Sequence, residues 1–155
     1  MAQVIGLYIA ARAGATVEAR PTLDVLPGVG VTGDRYAARS GHWSDPRWPD
    51  QELTLIEAEV AEDVGIDAGQ LRRNVVTRGV HLRDLIGVTF QIGEAVLVGV
   101  RPCDPCRYLE ALTRPGIAKA LATRGGLRVR ILEGGRISVG DLISRLSDLV
   151  PDHVS

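Results

Sequence analysis

The 155-residue chain contains few of the features that mark specialised classes of protein. Its two cysteines cannot form the disulfide framework of a small secreted domain. No apolar run approaches the roughly 18 residues needed to cross a membrane. The short N-terminal run MAQVIGLYIA has no basic residue before it, so it does not predict a signal peptide. We therefore expect a cytoplasmic protein with no membrane partner.

The chain also lacks an excess of charge, with 18 basic and 19 acidic residues and a net charge of −1. This balance argues against nucleic-acid binding by bulk electrostatics. Lys119 is the only lysine, so an anion site in this chain would be built from arginine. The length and the 45% hydrophobic content predict one globular domain over 1–155, with its core at about 4–146 and a frayed tail at 147–155.

Short segments, separated by 18 glycines and 8 prolines, predict a mainly β fold with a few short helices. Too few helices are predicted for parallel βαβ crossovers, which favours an antiparallel barrel or curled sheet with helices over its ends. Gly134-Gly135 predicts a two-residue hairpin. Strands are expected at 3–10, 21–26, 52–56, 72–78, 89–92, 95–100, 127–133 and 136–143, and helices at 57–64, 106–112 and 116–123, with a turn or short helix at 81–86.

The clearest chemical motif is the C-x-x-C of Cys103 and Cys106, placed between a predicted strand and a predicted helix. Cys106 falls in the first helical turn, where the helix dipole and the flanking Arg101 and Arg107 stabilise a thiolate. Such a thiolate can bind a soft metal, attack a disulfide or carry a persulfide. The alternative is a pair of buried structural thiols. A thioredoxin-like motif is less favoured because no βαβ pattern precedes it, and structural zinc would need two further ligands.

A second motif is Arg72-Arg73-Asn74 at the start of a predicted strand. Arg72 and Arg73 are expected on opposite faces, so one of them can point inward. An inward arginine beside an asparagine suits a phosphate or the polar edge of a pterin. A solvated arginine with a capping asparagine is the open alternative.

The third motif is Gly33-Asp34-Arg35, at the start of a polar, tryptophan-containing loop over 33–49. A loop of this length in a compact domain is more often functional than idle. His42 within it is of the type that transfers protons, although a surface histidine with no role is the commoner case.

Taken in order, GDRY, a Trp-containing loop, ELTLIEAE, RRNVVTRGV, C-x-x-C and GGLRVRILEGGRISVGD resemble a MOSC domain over about 4–146. This family includes the C-terminal domain of molybdenum cofactor sulfurases, amidoxime-reducing proteins and small stand-alone bacterial proteins. The resemblance is to the stand-alone bacterial type.

The resemblance implies a closed or nearly closed β-barrel, similar to the barrel domain of pyruvate kinase, and a pterin-based molybdenum cofactor (molybdopterin) as ligand. By motif position, Cys106 would carry sulfur or ligate molybdenum. Arg73 and Asn74 would contact the phosphate or pterin, and Gly33, Asp34 and Arg35 match the early GD motif. Neighbouring Arg72, Arg101 and Cys103 join the expected cofactor-binding group.

Larger relatives add an N-terminal β-barrel or a pyridoxal-phosphate desulfurase domain, and we expect neither in 155 residues. An external electron or sulfur donor protein is therefore expected. The leading hypothesis is reduction of a small N-hydroxylated substrate. The alternatives are a non-enzymatic carrier of persulfide or cofactor that uses Cys106, and a binding module for a phosphorylated ligand with structural cysteines.

Overall fold

The structure is a computed structural model, and it describes residues 2–10, 17–32, 52–103 and 125–146. These residues form eleven strands, one α-helix and two short 3-10 helices. The strands are β1 (Gln3–Ile9), β2 (Glu18–Ala19), β3 (Thr22–Leu26), β4 (Gly30–Val31), β5 (Leu53–Glu57), β6 (Val75–Arg78), β7 (Thr89–Ile92), β8 (Ala95–Pro102), β9 (Leu127–Glu133), β10 (Gly135–Ser138) and β11 (Ile143–Arg145). The helix α1 spans Ala58–Val64, and the 3-10 helices span Ala68–Leu71 and Leu82–Leu85. The mainly β fold class is confirmed.

The larger sheet has eight strands in the order β11-β7-β8-β9-β5-β6-β1-β2. All of its pairs are antiparallel except β5 and β6, which are parallel and connected through α1 and the first 3-10 helix. The expectation that no parallel β-α-β unit occurs is therefore wrong. α1 is seven residues long, and with the 3-10 helix after it the connection is long enough to return the chain to the same end of the sheet.

A smaller sheet contains β10, β3 and β4 in that order. The hairpin predicted at Gly134-Gly135 is wrong, because β9 belongs to the larger sheet and β10 pairs with β3. A Cβ on Gly134 would lie 2.7 Å from the Val25 carbonyl oxygen, and one on Gly135 would lie 2.5 Å from the Glu94 Cβ. These glycines allow close backbone approach where the chain passes between sheets.

The closed or nearly closed barrel is not found, because the described strands form two open sheets. The edges of the larger sheet are β2 and the three-residue β11. Residues just before β11 meet β1 through an isolated bridge between Gln3 and Leu142, with hydrogen bonds such as Val4 N–H to the Asp141 carbonyl (2.9 Å). The contact is a single bridge and not a ladder, so it leaves the sheet open.

Two apolar clusters pack against opposite faces of the larger sheet. Leu55 and Val75 belong to the main core, whereas their neighbours Ile56 and Val76 pack beneath α1. This alternation is that of strands buried on both faces. The helix ends at Gly65, whose φ of 72° is the left-handed conformation that glycine adopts without strain.

Two other predicted elements differ from the structure. The strand expected at 72–78 begins only at Val75, because Arg72 caps the first 3-10 helix with a φ of 61°. The strand expected at 136–143 ends at Ser138 and is separated from β11 by a turn. The helices expected at 106–112 and 116–123 and the tail at 147–155 lie outside the described residues. In the described ranges no helix has the length and apolarity of a membrane span.

Candidate functional site

The candidate site is a row of polar residues on three neighbouring strands of the larger sheet and just before a fourth. Arg101 on β8 lies opposite Arg128 on β9, which lies opposite Thr54 on β5. Thr54 in turn exchanges hydrogen bonds with Asn74, just before β6. Leu127 and Val129 belong to the main core, so Arg128 points to the opposite face. The sheet register therefore brings a pair of arginines and an asparagine-threonine pair onto one face.

A β-bulge determines where Arg101 points. The register between β8 and β9 shifts between Gly99 and Arg101, which leaves Val100 as an extra residue. Simple alternation would place Arg101 on the core face with Leu97 and Gly99. The extra residue instead turns Arg101 to the face of Arg128, as bulges near functional sites commonly do.

Asn74 forms a side-chain clamp between strands. Its Oδ1 accepts from the Thr54 N–H (3.1 Å) and from the Thr54 hydroxyl (3.3 Å), and its Nδ2 donates to the Tyr8 carbonyl (3.2 Å). The Asn74 N–H donates to the Thr54 Oγ1 at 3.1 Å. Both acceptor positions and one amide hydrogen are thus engaged within the scaffold.

Arg72 and Arg73 are both buried, with 8% of each residue exposed. Arg72 is the only non-glycine residue with a positive φ in the described part of the chain. Since it caps a 3-10 helix, the strand-based expectation that Arg72 and Arg73 alternate between faces is wrong. The Arg73 Nε donates to the Gly125 carbonyl at 2.9 Å, and its Nη2 has no hydrogen-bond partner among the described residues.

Gly126 lies where Arg73, β5 and the cysteine motif meet. With a φ of 115°, its backbone approaches Leu55 so closely that a Cβ would lie 2.2 Å from the Leu55 carbonyl oxygen. The same Cβ position is 3.5 Å from the Arg73 Nε. The Gly126 carbonyl accepts the N–H of Cys103 at 2.8 Å. Only glycine fits this junction.

Cys103 is a free thiol at the end of β8 and is 1% exposed. Its backbone bond to Gly126 anchors the start of the C-x-x-C motif beside Arg73. Cys106, Gly33, Asp34 and Arg35 lie outside the described residues. Within the described ranges, no three His, Cys, Asp or Glu side chains are grouped so as to hold a metal ion.

Sequence reasoning missed Arg128. It is 5% exposed, and its Nε and Nη1 have no hydrogen-bond partner among the described residues. In the sequence LRVRIL, Arg128 and Arg130 occupy equivalent alternating positions, yet Arg130 is exposed. The distinguishing signal is the pairing of Arg128 with Thr54 and Arg101, which a single sequence does not contain.

A cavity of about 500 Å³ lies beside these strand ends, between α1 and the second 3-10 helix. Glu57 and Glu59 accept the backbone N–H groups of Leu82 (3.1 Å) and Gly79 (2.9 Å). The two carboxylates therefore hold one wall of the cavity in place. The described lining is Glu57, Glu59, Val60, Asp63, His81, Leu82, Arg83, Pro102 and Gly126.

Some exposed arginines of the described residues differ from the buried ones, because carboxylates pair with them. Arg78 on β6 binds Glu62 of α1, and this hydrogen bond raises the pKa of the guanidinium above its ordinary value. Arg136 binds Asp24 at 3.1 Å. Neither pair belongs to the polar row.

The buried guanidinium N–H groups of Arg73 and Arg128 that lack a partner among the described residues fit an anionic ligand, and Gly126 places no side chain beside Arg73. The donor set is therefore of the kind that an anionic pterin cofactor requires. The described residues contribute no group of three metal ligands, and Cys106, the thiolate expected to bind the metal, lies outside them.

Residues 48–144 match the model of the MOSC domain, and the chain belongs to this family. The fold is similar to that of YuaD from Bacillus subtilis, with a TM-score of 0.71, 21% identity, and coverage of 92% of this chain and 94% of that one. It is also similar to YiiM from Geobacillus stearothermophilus, with a TM-score of 0.72, 17% identity, and coverage of 94% and 75%. YiiM from Escherichia coli gives a TM-score of 0.62 at 17% identity, with coverage of 92% and 70%. No curated protein matches the chain.

Proposed function

We propose that the chain binds a pterin-based molybdenum cofactor, with Arg73 at its anionic end and the Cys106 thiolate as a ligand of the metal. The observation that carries the proposal is the buried Arg73 guanidinium, whose Nη2 lacks a partner among the described residues. It lies beside Gly126, which also holds the backbone of Cys103. Membership of the MOSC family supports the choice of cofactor, because the family is associated with it.

In this proposal four residues have distinct roles. Arg73 supplies forked donors to a phosphate, and Arg101 on β8 adds positive charge. Asn74 acts as a positioning residue, because its amide is engaged by Thr54 and Tyr8 and fixes the backbone next to Arg73. Cys106 supplies soft sulfur, which suits a metal of this type.

The reaction that suits this arrangement is the reduction of a small N-hydroxylated compound. The bound cofactor supplies a redox-active metal at the Cys106 thiolate. Two electrons from a separate donor protein and two protons break the N–O bond, the oxygen leaves as water, and the nitrogen gains an N–H. The neighbouring cavity, with carboxylates on its wall, suits a substrate rich in N–H donors.

The test is purification of the wild-type protein and two cysteine variants from a host that makes the cofactor, followed by measurement of bound molybdenum, pterin fluorescence and cyanide-releasable sulfur. We expect molybdenum and pterin in the wild type, their loss in Cys106→Ser, and their retention in Cys103→Ser, the matched control. Cyanide-releasable sulfur on Cys106 without metal would favour a persulfide carrier over the reductase. If the folded proteins contain neither molybdenum and pterin nor cyanide-releasable sulfur, both the reductase and the persulfide carrier are refuted. A binding module for phosphorylated ligands is then the remaining alternative.

A further inference from the structure

Arg128 is a buried charge that no side chain of the described residues neutralises. It is 5% exposed, and its Nε and Nη1 make no hydrogen bond there. Some exposed arginines in the same structure pair with carboxylates, as Arg20 does with Glu18 at 2.9 Å and Arg136 does with Asp24 at 3.1 Å. A buried guanidinium is costly unless its donors find an acceptor. The burial of Arg128 without one points to an acceptor that is not part of the described chain.

The sheet neighbours of Arg128 strengthen this argument. The residue opposite on β5 is the neutral Thr54, and the residue opposite on β8 is a second arginine, Arg101. Like charges directly opposite in an antiparallel pair destabilise a sheet. The bulge at Val100 is what turns Arg101 toward Arg128, so the local backbone brings the two positive charges onto one face.

A third guanidinium, that of Arg73, contacts the segment that leads into β9. Asn74, the residue after Arg73, exchanges hydrogen bonds with Thr54, and Arg73 itself donates to Gly125, three residues before Arg128. Its Nη2 is also without a partner among the described residues. Arg73 and Arg128 are thus two buried arginines with unused N–H donors. A tetrahedral oxyanion has several oxygen acceptors and can receive hydrogen bonds from both.

We infer that Arg128 is the central residue of a binding site for a tetrahedral oxyanion such as a phosphate group, with Arg101 opposite and Arg73 at its side. This inference depends on the proposed function in one respect, which is whether the anion is the phosphate group of the cofactor. A phosphate of the bound cofactor and a free inorganic oxyanion present the same oxygen acceptors, and both neutralise Arg128.

The experiment uses the full chain from a host that cannot make the cofactor, with inorganic phosphate as the probe. Calorimetry gives the Kd, and thermal unfolding is followed at constant ionic strength with increasing phosphate. Arg128→Met replaces the guanidinium by an apolar side chain of similar length. Arg130→Met is the matched control, because Arg130 lies two residues along the same strand, on the same face, and is exposed.

Phosphate should raise the Tm of the wild type and of Arg130→Met with nearly the same Kd. In Arg128→Met the Kd should rise by about 10- to 100-fold, since charge-assisted hydrogen bonds are lost. Without phosphate, Arg128→Met should melt higher than the wild type, because a buried unneutralised charge is removed. If Arg128→Met does not fold, Arg128→Lys is measured instead. Lysine keeps the positive charge but lacks the forked donors of the guanidinium, so this variant should also bind phosphate more weakly.

Phosphate that leaves the wild-type Tm unchanged, or binds Arg128→Met as tightly as the wild type, overturns the inference. A site that stops binding phosphate once the cofactor is loaded takes the cofactor's phosphate, whereas a site that still binds it takes a free oxyanion. Arg128-dependent phosphate binding in a protein that never retains molybdenum keeps this inference and refutes the proposed function. A protein that retains molybdenum but shows no Arg128-dependent phosphate binding keeps the proposed function and refutes this inference.

Discussion

Replacing Asn74 by alanine tests whether this residue holds the scaffold or touches the ligand. The change removes three side-chain hydrogen bonds, two to Thr54 and one to the Tyr8 carbonyl. It also leaves the buried Thr54 N–H without its acceptor. Two of these bonds contribute about 1 kcal/mol net each, and the third is counted through the unsatisfied Thr54 N–H, which costs about 1–3 kcal/mol. We expect the free energy of unfolding to fall by about 3–5 kcal/mol, a large share of the 5–15 kcal/mol typical of a domain.

The assay is equilibrium urea unfolding of the cofactor-free protein, followed by circular dichroism. Gln91→Ala is the control, because Gln91 makes a single side-chain bond to the Gly93 carbonyl (2.9 Å) in a half-buried position. That control should lose only about 0.5–1.5 kcal/mol. If Asn74→Ala loses no more than the control while cofactor binding disappears, Asn74 is a ligand-contacting residue and the clamp reasoning is refuted.

Two further predictions concern the glycine junction and the buried thiol. Gly126→Ala should lower the free energy of unfolding by about 3 kcal/mol or more, because its Cβ would collide with the Leu55 carbonyl, whereas Gly140→Ala has open space and should lose only about 1–2 kcal/mol of backbone strain. Urea unfolding of both variants measures this, and equal losses would show that the close approach is unimportant. Cys103→Ser should lose about 1–3 kcal/mol, since a hydroxyl replaces a buried thiol. In Cys106→Ser, Cys103 should react with iodoacetamide only after denaturant is added, and rapid labelling of the native protein would contradict its burial.

Much of the fold follows from local patterns that need no knowledge of distant contacts. Alternation predicted β1, β5, β7 and β9 to within about two residues, and a turn at Gly93-Glu94 joins β7 and β8 between the two strands expected at 89–92 and 95–100. The helix α1 was identifiable from its helix formers and from Gly65, which ends it. In these segments local propensity and tertiary packing favour the same structure.

The features that sequence reasoning missed depend on pairings between distant segments. Gly134-Gly135 has the composition of a hairpin, but close approach to Val25 and Glu94 uses the two glycines for a crossing between sheets. The parallel pairing of β5 with β6 has no local signal. Both the crossing between sheets and the parallel pairing are determined by long-range contacts, which a local sequence pattern does not contain.

In the candidate site, too, some features follow from the local sequence and others depend on pairings between distant segments. One of Arg72 and Arg73 was expected to point inward, and the structure buries both, with 8% of each exposed. Arg128 was missed because burial separates it from Arg130, and burial depends on the register with β5 and β8. Arg101 reaches the same face only through a bulge, and a bulge is not visible in a single sequence.

The central claim is that this chain binds the molybdenum cofactor, and the most direct measurement is the metal content of the wild-type protein from two matched hosts. One host makes the cofactor and the other lacks its synthesis. We expect close to one molybdenum and one pterin per chain from the first host, and neither from the second. Protein from the competent host that is folded, free of molybdenum and free of pterin fluorescence would contradict the account.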